Sequence, residues 1–139
     1  MHFAIINGPN LNLLGSREKE IYGSEPFESY LDMLAEQYPE AEISYAQSNV
    51  EGELVNLLQF FAEECDGIIL NPAAYAHTSV AIADAIRAIA VPVVEVHISN
   101  IHAREEYRQT LLSGAASRGV ISGFGLDGYR LALEYLLRE

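Results

Sequence analysis

Short apolar runs that stop at turn residues alternate along this chain with stretches whose apolar residues recur at helical spacing. No other feature constrains the fold as strongly, because strands separated by helices pair in parallel and need helices on the faces of their sheet. Phe3 to Asn7 reads as a first strand, ended by Gly8-Pro9. A loop follows to about Ser24, then a helix with Phe27, Tyr30, Leu31, Leu34 and Tyr38 on one face. Ala41 to Gln47 alternates like an edge strand. Ser48-Asn49-Val50-Glu51 has the form of a capping box opening a helix whose stripe is Leu54, Leu57, Leu58 and Phe61. Gly67 to Leu70 forms a short buried strand ending at Asn71-Pro72, and a helix from about Ser79 turns Ile82, Ile86 and Ile89 inward. Pro92 to Ser99 and Gly119 to Gly123 are the last strands. A final helix places Leu126, Tyr129, Leu133, Leu136 and Leu137 on one face.

The expectation is an α/β, flavodoxin-like, doubly wound sheet of five parallel strands in the order 2-1-3-4-5, one catalytic domain over residues 1–139. In that arrangement ligands bind beyond the carboxyl ends of the strands, at the switch point beside strands one and three. Half the residues are hydrophobic, enough to bury a core. Eight Lys+Arg against twenty Asp+Glu give a formal charge of -12. Such a surface repels nucleic acid and anionic lipid, so neither is an expected partner. An anionic ligand would need a few local arginines to hold it against that field. Cys65 is the only cysteine, which excludes an internal disulfide and suits a reducing cytoplasm; its apolar helical setting argues for packing. The chain begins on a strand-like run without a basic or cleavable apolar segment, and no stretch approaches the ~18 apolar residues of a membrane span.

The strand ends carry the polar chemistry. Strand one ends in Asn7-Gly8-Pro9-Asn10, strand three in Asn71-Pro72, and strand four in Glu95-Val96-His97-Ile98-Ser99-Asn100. Side chains alternate along a strand, so Glu95, His97 and Ser99 share one face at the rim where a ligand would sit. Asn10, Asn71 and His77 converge on the same crevice. The loop from Asn10 to Ser24 is long for a strand-to-helix connection; it holds Arg17 and Tyr22 and has the character of a lid. Arg104 and Arg108 lie at i and i+4, on one face if the segment after strand four is helical.

Taken together these residues resemble the type II 3-dehydroquinate dehydratases. The motifs run from Asn7-Gly8-Pro9-Asn10-Leu11-Asn12-Leu13-Leu14-Gly15 through Arg17-Glu18, Ile21-Tyr22-Gly23 and Gln47-Ser48-Asn49-Val50-Glu51-Gly52. They continue with Asn71-Pro72, His77-Thr78-Ser79-Val80-Ala81, Glu95-Val96-His97-Ile98-Ser99-Asn100, Ala103-Arg104-Glu105 and Gly123-Phe124-Gly125, and so span almost the whole chain in family order. The resemblance implies loss of water from 3-dehydroquinate to give 3-dehydroshikimate through an enolate, with no cofactor and no metal. It implies that Tyr22 removes the proton beside the ketone, that Arg17 and Arg104 stabilise its phenolate, and that Asn10 holds the enolate through water. His97, oriented by Glu95, would protonate the departing hydroxyl. Asn71 with the backbone of Ile98 and Ser99 would grip the carboxylate, and His77 and Arg108 the ring hydroxyls. Asp84 would reach a neighbouring subunit's site, the family being built of trimers assembled into dodecamers. Tyrosine ionises near 10, so a guanidinium that favours the phenolate is the expected companion of a tyrosine base. A hydroxyl leaves poorly, so an acid such as His97 fits the second step.

The chain departs from the family pattern at Lys19, where proline is usual, at Ala76 for threonine and at Gln109 for histidine. Other readings remain. Gly123-Phe124-Gly125-Leu126-Asp127-Gly128 is a formal G-x-G-x-x-G, but only eleven residues follow it, too few for the rest of a dinucleotide fold, so tight turn and helix packing is the better reading. His77, Glu95, His97 and His102 could serve a metal-dependent hydrolase, though no H-E-x-x-H spacing is present. A flavodoxin-like small-molecule-binding module is the non-enzymatic alternative.

Overall fold

The computed structural model describes residues 1–16, 20 and 26–139. Five strands form one sheet: β1 (His2–Asn7), β2 (Glu42–Gln47), β3 (Gly67–Asn71), β4 (Val93–His97) and β5 (Gly119–Ser122). Every pairing is parallel and the order is β2-β1-β3-β4-β5, as the alternation of apolar runs predicts. The helices are α1 (Phe27–Gln37), α2 (Glu51–Glu64), α3 (Val80–Ala88), α4 (Leu112–Ala116) and α5 (Asp127–Leu137). Among them none is long and apolar enough to cross a membrane.

The period of two in the strands divides the core into two layers. Phe3, Ile5, Ile69, Val94 and Val96 face the buried stripes of α1 (Phe27, Tyr30, Leu34) and α5 (Tyr129, Leu133, Leu136). Ala4, Ile6, Ile68, Leu70 and Val93 face α2 (Leu54, Leu58, Phe61) and α3 (Ile82, Ile86). Each fully buried Leu, Ile or Phe in these layers contributes roughly 1.5–3 kcal/mol of transfer free energy, which fixes the register of the central strands on both faces. Cys65 is buried at the carboxyl end of α2, and burial pushes its thiol up to about 11, so packing is its role.

Two local expectations need correction. Ser48 does not cap α2 through a capping box: the helix begins at Glu51 after an extended Val50, and Ser48 Oγ accepts from the Val50 N–H at 3.0 Å, tightening the strand-to-helix turn instead. The segment after β4 is not one helix either. Short 3-10 turns at Ile101–Ala103 and Glu106–Gln109 flank Arg104 and Glu105, which are extended. The i, i+4 face expected for Arg104 and Arg108 therefore does not exist, and what brings them together is a shared carboxylate.

Candidate active site

At the switch point β1 and β3 approach too closely for a side chain. The Gly8 N–H donates to Asn71 O at 2.7 Å, and a Cβ on Gly8 would stand 2.7 Å from Pro72 O. The chain then turns through Asn10 at φ 70, a left-handed conformation that asparagine tolerates, with its N–H donating to Asn49 Oδ1 at 2.9 Å. Across the gap Ala73 sits at φ 53, held by its N–H to Asn71 Oδ1 at 3.1 Å. A non-glycine residue in that region costs about 1 kcal/mol, stored beside the crevice.

Asn10, Asn71, His77, His97, Ile98, Ser99, Arg104 and Arg108 all line one crevice there, so the structure brings together the strand-end residues that the sequence singles out. Glu95 lies behind it, fully buried, and His97 Nε2–H donates to Glu95 Oε2 at 2.7 Å. The other ring nitrogen, Nδ1, is left for the crevice. His77 stacks 6.1 Å from His97, and its Nδ1 lies 2.8 Å from Thr110 O. A carbonyl only accepts, so Nδ1 carries the proton and Nε2 is the acceptor. Burial lowers the pKa of His77, with the fields of His97 and Arg108 adding to it against the Thr110 hydrogen bond and the charge of Glu95. His77 thus tends to stay neutral and to accept from a hydroxyl donor.

Glu105 organises the cations. Its Oε1 lies 3.0 Å from Arg108 Nε and 3.5 Å from Arg104 Nε, while Tyr107 donates to Oε2 at 2.6 Å. The Tyr107 hydroxyl first, then its own N–H and Arg108, hold the Glu105 carboxyl down at about 2. Arg104 also donates to Ser99 Oγ at 3.3 Å. Two guanidinium groups therefore border a crevice floored by amide and imidazole groups, which suits a polyhydroxylated anion. Asp84 is exposed on α3, 3.8 Å from Arg87, and does not line its own chain's crevice. Arg17, Tyr22 and Lys19 lie outside the described residues. Among the described residues no three His, Cys, Asp or Glu side chains form a metal-binding group; His102 meets Gln109 Oε1 at 2.9 Å.

Residues 1–137 match the family model described as dehydroquinase class II. This chain belongs to that family. The 3-dehydroquinate dehydratase of Aliarcobacter butzleri is 52% identical over 99% of this chain and 85% of its own length. That of Clostridium perfringens is 50% identical over 98% and 96%. The crystal structure of a type II dehydroquinase from Butyrivibrio crossotus superposes with a TM-score of 0.94 at 42% identity, covering 99% of this chain and 97% of that one.

Within this dehydroquinase two of the departures have a visible setting. Gln109 braces the loop after β4, donating to Ile101 O at 2.6 Å while its Oε1 meets His102. Ala76 is fully buried. The glycines of the G-x-G-x-x-G match serve the β5–α5 turn: Gly123 and Gly125 have φ 97 and 61, and a Cβ on Gly128 would press on Val96 at 3.1 Å.

Three groups escape a sequence reading. Asn7 and Tyr129 join Asn71 in a buried chain: Tyr129 donates to Asn7 Oδ1 at 2.7 Å and accepts from Asn71 Nδ2 at 2.9 Å. Helical spacing marks Tyr129 only as core, and nothing in it shows where the hydroxyl goes. The third is Ser113, whose signal is a lone hydroxyl in the run Leu111-Leu112-Ser113-Gly114. It donates to Glu95 Oε1 at 2.5 Å.

Proposed function

We propose that this chain dehydrates 3-dehydroquinate to 3-dehydroshikimate by general base and general acid catalysis without a cofactor, a step toward aromatic compounds. The observation that carries the reading is the buried Glu95–His97 pair opening on a crevice bordered by Arg104 and Arg108. The membership of the chain in the class II dehydroquinases supplies the substrate.

Tyr22, made more acidic by Arg17 with help from Arg104, takes the proton from the carbon beside the ketone, and its electron pair becomes the enolate. Asn10 holds the enolate oxygen through a water. The enolate then reforms the ketone, its electrons make the new carbon–carbon double bond, and the neighbouring carbon–oxygen bond breaks. The leaving hydroxyl takes a proton from His97 Nδ1 and departs as water. A carboxylate 2.7 Å from Nε2 gives the doubly protonated ring its counter-charge before transfer. Asn71 and the Ile98 and Ser99 backbone receive the substrate carboxylate, while Arg108 and neutral His77 take the ring hydroxyls. Asp84, exposed on α3, completes a neighbour's site in a trimer, and trimers assemble into a dodecamer in the cytoplasm.

Purified protein mixed with 3-dehydroquinate should generate the absorbance of a conjugated enone. Absence of that absorbance with intact substrate recovered would refute the reading.

A further inference from the structure

The hydrogen-bond chain behind His97 continues past Glu95 into α4. Glu95 is fully buried, so neither carboxylate oxygen has water to fall back on. His97 satisfies Oε2 and Ser113 satisfies Oε1, and Ser113 is itself fully buried. The α4 backbone presses in from the same side: a Cβ on Gly114 would stand 3.3 Å from Glu95 Oε2. Ser113 is anchored in turn, since Ser117 Oγ donates to Ser113 O at 2.9 Å. We infer that Ser113 is a positioning residue for the acid step, fixing the rotation of the Glu95 carboxylate so that Oε2 faces His97 Nε2 and the His97 ring keeps Nδ1 toward the crevice.

Each donor constrains one oxygen of a planar group, and together they define its plane. Without the hydroxyl, Oε1 is a buried acceptor with no donor, and the carboxylate turns toward whatever donor it finds, taking His97 with it. His77, Arg104 and Arg108 line the crevice on the far side of His97 and would compete for the freed ring or carboxylate. The inference rests on the dehydration proposed for this site, because His97 acts only when the hydroxyl leaves.

The test compares wild type with Ser113→Ala and Ser113→Thr by enone formation and by the downfield proton resonance of His97 Nε2–H. Ser113→Ala should lower kcat roughly 10- to 100-fold, the consequence of one unsatisfied buried acceptor, with KM changed less than about threefold. The His97 resonance should shift or vanish, and Ser113→Thr, which keeps the hydroxyl, should restore both. If Ser113→Ala does not fold, Ser113→Cys, a weaker donor, should give the same displacement of resonance and rate to a smaller degree. Wild-type turnover in Ser113→Ala or Ser113→Cys overturns the inference, and so does lost turnover with the His97 resonance unmoved. A wild-type protein that makes no enone would instead refute the dehydration, leaving the coupling of Ser113 to His97 readable in the resonance alone.

Discussion

Two residues given protonation tasks in the proposed dehydration, Tyr22 and His77, can be read separately. Tyr22→Phe keeps the ring and deletes the ionisable oxygen, so it should fold, bind substrate and lose nearly all turnover; steady-state kinetics at normal turnover would remove Tyr22 from the base role. The proposed reaction uses a tyrosine base and not the only lysine, Lys19, so borohydride with substrate should find no imine to trap. At His77 the folded-state pKa lies below the ordinary histidine value near 6.5 because the ring is half-buried. Between the two values the unfolded chain holds the extra proton, so stability rises with pH across that window, is complete above about 6.5 and is lost as pH falls through it. The denaturation midpoint should therefore drop from about pH 7 to about pH 5 less in His77→Asn than in wild type. An NMR titration of the His77 ring with a midpoint above 6.5 would contradict this account.

Among the elements, β3 and α5 are coupled through the Asn71–Tyr129–Asn7 chain, and that coupling holds the Asn71 amide at the crevice floor. Tyr129→Phe should destabilise the fold by about 1–3 kcal/mol through the two stranded amides and, with Asn71 in its proposed role of holding the substrate carboxylate, raise KM more than it lowers kcat. Unchanged KM would detach Tyr129 from the site. The elements also show what a sequence carries. Strand order and the two helix layers were legible because apolar periods of two and of helical spacing are one-dimensional records of burial. The alternation of Glu95 with His97 likewise foretells their shared face. The loop after β4 was not legible: Arg104 and Arg108 have helical spacing, yet the segment is extended around Glu105, whose carboxylate gathers both cations. Nor was Ser48, which has a capping box's letters but bonds locally to Val50. Ser113 and Tyr129 depend on contacts across 18 and 58 residues of chain, which no local pattern records.

For the whole molecule, a net charge of -12 leaves the crevice as a local cationic exception on an acidic body. Arg104 and Arg108, about a tenth to a fifth exposed, are screened less than surface charges, which suits them to the anionic substrate proposed for the crevice. Asp84 is exposed on α3, and its proposed role in a neighbour's site makes assembly the property to measure. Light scattering should give a mass near twelve chains, and a fully active monomer would contradict the assembly. Fold, charge and crevice meet in one claim, that the Glu95–His97 pair at the end of β4 protonates the leaving hydroxyl. Its most direct measurement is enone formation from 3-dehydroquinate by folded His97→Ala. The account predicts kcat reduced roughly 10²–10⁴-fold; turnover close to wild type would contradict it.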